Sequence, residues 1–168
     1  MLAGGASARF GSPKAVARLD GETLAERAWR VLGEASDERI AVGKEADELE
    51  PPFSVLDDGT EVRAALAGVV AGLRAATTDL CVAVAVDMPH LTPELLLELA
   101  EACVLAAAPE GSPLPAAYRK AALPVLERRF AEGRLAFHEA VVELDAEGLR
   151  ADAMQLENVN TPADLCRR

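Results

Sequence analysis

Three places in the chain carry residues suited to a phosphorylated ligand. The first is the opening stretch MLAGGASARFGSPKA, residues 1–15, in which Gly4, Gly5 and Gly11 surround Ser7 and Arg9, and Lys14 follows. Glycines leave successive main-chain N–H groups unobstructed, so such a loop can form an anion-binding concavity. Lys14 would add a point charge, and Arg9 a planar fork suited to phosphate oxygens. A glycine-rich strand-to-helix turn with two solvated cations is the plainer reading of the same residues. The second place is the pair Asp57-Asp58, and the third is Asp87, which follows the most apolar run of the chain, LCVAVAV at 80–86.

Counting excludes two familiar phosphate motifs. Five residues separate Gly5 from Gly11, and Lys14 does not follow Gly11 directly, so the loop is not a P-loop. No G-x-G-x-x-G spacing exists either, which removes the dinucleotide fingerprint. No Ser/His/Asp or Cys/His grouping suggests a side-chain nucleophile. His90 and His138 stand alone and read as structural or solvent-facing rather than as metal ligands.

The elements that must position these groups alternate. Met1-Leu2-Ala3 reads as the end of a strand whose beginning is missing, being shorter than an ordinary strand. Apolar spacing predicts a helix over 22–32, with Trp29 on its apolar stripe. Strands are expected at 40–42, 53–56 and 80–86, the last apolar enough to be covered on both faces. Helices are expected over 62–76, from Pro93 with Thr92 as cap, and over 121–132 and 135–144. Strands are expected at 104–107 and 154–156, a breaker-rich loop at 110–115, and a last helix from 161 to 168, with Thr161 as its cap. This alternation predicts one α/β domain over 1–168, three layers thick, with a mainly parallel, Rossmann-like sheet. Ligands of open α/β sheets bind outside the carboxyl ends of the strands, where all three candidate segments fall.

Composition narrows the partners. The 168 residues carry a formal net charge of -11 and few aromatics, which argues against a nucleic-acid surface. A small anionic ligand remains compatible, because a pocket can be locally positive on an acidic protein. Cys81, Cys103 and Cys166 show no C-x-x-C spacing, so neither a zinc site nor a disulfide framework is expected. No membrane span or signal peptide is evident, and the expectation is a cytoplasmic protein.

The motifs also resemble those of a known family. Leu2-Ala3-Gly4-Gly5-x-Ser7-x-Arg9-Phe10-Gly11-x-x-Lys14 is similar to the L-A-G-G-x-S-x-R-M-G-x-x-K signature of the molybdenum cofactor guanylyltransferases and their nucleotidyltransferase relatives. Val86-Asp87-Met88-Pro89-His90-Leu91 resembles their C-D-x-P-x-L stretch. Pro115-Ala116-Ala117-Tyr118-Arg119 resembles L-x-A-L-Y-R, and residues 157–165 resemble the closing N-x-N-T-P-x-D-L.

The resemblance implies the nucleotide-diphospho-sugar transferase type of fold and transfer of GMP from GTP, with Mg²⁺, to the phosphate of molybdopterin, releasing pyrophosphate. It places Leu2, Ala3 and Gly4 beside guanine and ribose, the loop from Gly5 through Ser7 and Arg9 to Gly11 around the phosphates, Lys14 on the triphosphate and Mg²⁺ on Asp87. Asp57 or Asp58 would contact the nucleotide, the sequence leaving open which, and Asn158 and Asn160 would face the acceptor. Cofactor-carrying proteins and molybdoenzymes are the implied protein partners.

The chain departs from the pattern at two points. Ala64-Ala65-Leu66-Ala67-Gly68 stands where the family has G-P-L-A-G, and Gly43 stands where an Asn often follows the second strand. Gly4-Gly5 is the form usual for guanylyl transfer, the cytidylyl relatives tending to L-A-A-G. Cytidylyl or other small-metabolite nucleotidyl transfer, and an inactive nucleotide- or cofactor-binding adaptor, are the alternatives.

Overall fold

Residues 1–3 run between two strands and tie the sheet together. Leu2 N–H donates to Val84 O at 2.7 Å and Ala3 N–H to Val42 O at 2.8 Å, and both pairings are parallel. The structure is a computed structural model that describes residues 1–4, 13–47 and 51–166.

A short hairpin comes next, β1 (Arg18–Leu19) and β2 (Glu22–Thr23). Its turn is Asp20-Gly21, with φ of 52° and 85°, the two left-handed residues that a tight hairpin of this twist requires. Helix α1 (Leu24–Ala35) starts on a capping box: the Thr23 side chain accepts from Glu26 N–H, and the Glu26 carboxylate accepts from Thr23 N–H. Then come β3 (Ala41–Gly43), β4 (Val55–Asp57), α2 (Ala65–Ala75) and β5 (Leu80–Ala83). Helix α3 (Pro93–Ala102) has Thr92 as cap and Pro93 in its first turn, as expected. The chain continues through β6 (Ala106–Pro109), β7 (Ala116–Arg119), α4 (Leu123–Ala131), α5 (Phe137–Glu143) and β8 (Glu147–Leu149).

Across the sheet the order is β4, β3, residues 1–3, β5, β7, β6, β8. Only β7 runs antiparallel to its neighbours, so the sheet is mainly parallel, as the alternation predicts. Side chains alternate between its faces. Val84, Val86, Ala107 and Ala117 pack with α1 and α3, whereas Leu2, Ala106, Ala108, Ala116 and Tyr118 pack with α2, α4 and α5. Small alanines on β6 and β7 let helices approach both faces, giving three layers. No helix among the described residues is long and apolar enough to cross a membrane.

Several expected elements fall elsewhere. Residues 153–156 form a turn, with Gln155 N–H donating to Asp152 O and Leu156 N–H to Ala153 O; the last strand is β8, which pairs in parallel with β6. A three-residue apolar stretch carries no period, so Met154, 62% exposed, misleads. Val104 lies outside β6 for the same reason, at 76% exposure. Of the last expected helix, a single tight turn, Pro162–Cys166, is seen within the described residues. Leu80–Ala83 are half-buried rather than covered, because they border a second cavity shared with Leu32, Ile40 and Leu73.

Candidate active site

The carboxyl ends of residues 1–3, β3 and β5 open onto a pocket of about 440 Å³. Leu2, Ala3, Gly4, Lys14, Asp87, Asn158 and Asn160 all line it. Gly5, Ser7, Arg9 and Gly11 lie outside the described residues.

Lys14 is the hub of one end. Its ammonium donates to Asp87 Oδ2 at 2.8 Å and to Asn160 Oδ1 at 3.0 Å, joining residues far apart in sequence. Lys14 and Asp87 are each about one-fifth exposed, so the pair is screened from bulk water yet reachable from the pocket. Asp87 O also accepts from Val159 N–H at 2.8 Å, which draws the Asn158–Asn160 segment against the end of β5. Asp164 then fixes that segment from below, its carboxylate accepting from the N–H groups of Asn160 and Thr161 and from the Thr161 hydroxyl. Thr161 thus sits at the start of the turn, but its hydroxyl donates to Asp164 rather than accepting a backbone N–H as a cap would.

The structure separates the two candidate acids after β4. Asp57 is exposed and closes turns: it accepts from Glu45 N–H and Gly59 N–H, which hold its carboxyl below the usual range. Asp58 faces the pocket with its side chain 6% exposed. Asp57 ends β4 and Asp58 lies one residue beyond it, where its carboxylate meets Lys44.

Four contributors were not legible in sequence. Lys44 donates to Asp58 Oδ1 at 2.6 Å and to the carbonyls of Thr60 and Val62. Arg63 pairs with Asp47 at 2.7 Å on the same rim. Ser112 lines the opposite wall with Pro113 and Leu114. A lysine or arginine among many gives no motif, and only the meeting of the β3 and β4 ends reveals Lys44 and its partners. The altered 64–68 segment lies beside them. Ala64 caps α2 without a side-chain hydrogen bond, and Gly68 lets Leu2 approach so closely that a Cβ there would sit 2.8 Å from it.

The sheet order provides a ruler. Asp58, after β4, stands three strand spacings from Asp87, after β5, or about 14 Å at the usual separation. An acid at one end, a lysine–aspartate pair at the other and two asparagines beyond suit an extended nucleotide meeting an acceptor. Residues 1–145 match the MobA-like NTP transferase domain.

The chain belongs to the MobA-like NTP transferase family.

Within this family, a probable molybdenum cofactor guanylyltransferase from Chloroflexus aggregans is 34% identical, over 98% of this chain and 89% of that protein. A crystal structure of molybdopterin-guanine dinucleotide biosynthesis protein A from Archaeoglobus fulgidus is similar at a TM-score of 0.78 and 27% identity, covering 98% of this chain and 93% of that one. The fold is also that of 2-C-methyl-D-erythritol 4-phosphate cytidylyltransferase from Thermus thermophilus, at a TM-score of 0.71 and 22% identity over 94% of this chain and 92% of that one.

Proposed function

We propose that this protein is a molybdenum cofactor guanylyltransferase, moving GMP from GTP to the terminal phosphate of molybdopterin and releasing pyrophosphate. The observation that carries this reading is the Lys14–Asp87 pair, set between Asp58 at one end of the pocket and Asn160 at the other. Residues 1–168 act together in it, since Asn158 and Asn160 complete a site that starts at Leu2. Cytoplasmic GTP is the donor, and proteins that carry or receive the cofactor are the partners.

The reaction asks the protein mainly for positioning and charge neutralisation. An oxygen of the acceptor phosphate attacks the α-phosphorus of GTP, and the bond to the β-phosphate oxygen breaks. No side-chain nucleophile takes part. Lys14 neutralises the triphosphate; Leu2, Ala3 and Gly4 line the base and ribose; Asn158 and Asn160 offer amide donors to the acceptor. Asp58 Oδ2 accepts no hydrogen bond among the described residues, and suits the adjacent N–H donors of guanine.

Mg²⁺ fits the donor set. No group of three or more His, Cys, Asp or Glu residues that could hold a metal occurs among the described residues, and Mg²⁺ prefers one or two carboxylates together with phosphate oxygens and water. Asp87 is the residue that would hold it, since its Oδ1 accepts no hydrogen bond among the described residues while Oδ2 takes Lys14. Bound there, the ion would neutralise charge on the phosphates and on departing pyrophosphate.

Thermal unfolding with GTP, CTP, ATP and UTP, with and without Mg²⁺, tests this. Nucleotide at a hundred times its Kd adds about 2.7 kcal/mol, so GTP should raise the midpoint visibly, and more so with Mg²⁺. Asp87→Ala should fold and lose the Mg²⁺ increment. A shift with CTP alone would transfer the reading to cytidylyl transfer, and no shift with any nucleotide would overturn it.

A further inference from the structure

Lys44 touches no group that the transfer chemistry needs, yet it is among the most tightly held cations in the pocket wall. Its ammonium has three N–H donors, and all three are used: on Asp58 Oδ1, Thr60 O and Val62 O. The Lys44 and Asp58 side chains are 10% and 6% exposed. With its donors committed, Lys44 is not a phosphate ligand. Its contacts instead immobilise the whole segment from Asp58 to Val62.

That segment has few other restraints. Asp58 N–H reaches Gly43 O at 3.2 Å, and Thr60 N–H bonds back to Asp58 Oδ1 at 3.1 Å. No regular secondary structure spans residues 58–64, and α2 starts on Ala64 without a side-chain cap. Lys44, together with Thr60 N–H on the same oxygen, therefore sets where the Asp58 carboxylate points, and Lys44 is the charged and shorter of the two contacts. By engaging Oδ1, it leaves Oδ2 for the pocket; that atom has no partner among the described residues and is not among the polar atoms sealed from solvent. A carboxylate oxygen can only accept, so it selects a base edge that donates.

We infer that Lys44 is a positioning residue for base selection, holding Asp58 so that its outward oxygen reads the exocyclic amino group of guanine. The inference rests on the guanylyl-transfer reading and adds the residue that enforces its specificity. Inosine triphosphate provides the probe, because it lacks only that amino group. Removing the clamp leaves Asp58 Oδ1 held by Thr60 N–H alone, so the carboxylate can turn and one charge-assisted hydrogen bond then stops discriminating.

The experiment measures Kd for GTP and ITP, each with Mg²⁺, by titration of the full chain, and kcat and KM in the transfer assay, for wild type, Lys44→Met and Lys44→Gln. Wild type should favour GTP over ITP by roughly ten-fold or more, the discrimination expected of one hydrogen bond to a charged acceptor. Both variants should bring that ratio close to one, with the loss falling on Kd and KM for GTP rather than on kcat. A ratio that survives in either folded variant, or equal losses for both nucleotides, makes Lys44 a structural staple only and overturns the inference. So does a wild type that binds both nucleotides equally, whatever the variants do. Failure of wild type to bind GTP at all is a different result, removing guanylyl transfer and this inference with it.

Discussion

Gly4, on the lining of the pocket, leaves little room for a side chain. A Cβ built on it would lie 3.3 Å from both Asp47 Oδ2 and the Gly43 Cα, tighter than ordinary van der Waals contact. Gly43 belongs to the backbone at the end of β3, and Asp47 is held by Arg63, so neither yields without moving the rim. The Gly4→Ala variant should therefore raise KM for GTP several-fold, with a small change in thermal midpoint; steady-state kinetics beside thermal unfolding would check both. An unchanged KM would mean that the rim relaxes around the methyl group. The same residue shows what single positions reveal in sequence. Lys14, Asp87 and Asn160 stand out in sequence because their motifs depart from the family patterns at few positions, and the structure brings them within hydrogen-bond reach. Asp58 was not separable from Asp57, because only the tertiary contacts, Lys44 on Asp58 and the Glu45 and Gly59 N–H groups on Asp57, distinguish the two carboxylates. Lys44 was invisible, because its role exists only once β3 and β4 lie side by side.

At the scale of elements, local chemistry and tertiary pairing divide the credit. Helix α1 could be anticipated from apolar residues at helical spacing and α3 from its Thr92 cap and Pro93, whereas the Thr23 cap of α1 emerges only in the structure. Thr23→Ala removes the side-chain acceptor of Glu26 N–H and leaves the reciprocal Glu26 contact on backbone alone. The expected cost is about 1 kcal/mol, read as a lower midpoint in denaturant with the slope unchanged. A loss well below that would mean that packing of Leu24, Ala25 and Ala28 in the core holds α1 in place without its cap. Strands were harder to place. Ala116–Arg119 is rich in alanine and becomes strand β7 only through antiparallel pairing on both sides. Glu147–Leu149 is polar and short, and gains its strand geometry from β6. Neither has a period that a single segment could announce, whereas the alternation of strands and helices was enough for the class of fold.

For the molecule as a whole, acidity is the condition that its charge pattern makes costly. Arg129 is fully buried between α4 and α5, donating to Glu139 and Glu143, while Arg128 and Arg134 also reach Glu143. Hydrogen bonds from Arg129 and then Arg128 pull the Glu143 carboxyl from 4.5 down to about 2. Glu139 moves the same way beside Arg129, and Glu26, Glu38 and Asp57 are lowered by backbone N–H groups. Each of these carboxyls binds protons less readily folded than unfolded, so the unfolded state gains protons first as the pH drops. Their stabilisation is complete above the unfolded values and disappears as pH falls through the folded ones, which for Glu143 sets a window between 4.5 and about 2. At the alkaline end, burial raises the Tyr118 hydroxyl, so its contribution is intact below the ordinary value of 10.0 and is lost as pH rises beyond it. Urea titrations across pH should thus show stability falling below about pH 4.5, and Glu143→Gln should flatten that slope at the expense of stability near neutrality. An acid limb equally steep in Glu143→Gln would move the acid sensitivity away from the Arg129 cluster and onto the helix and turn carboxylates.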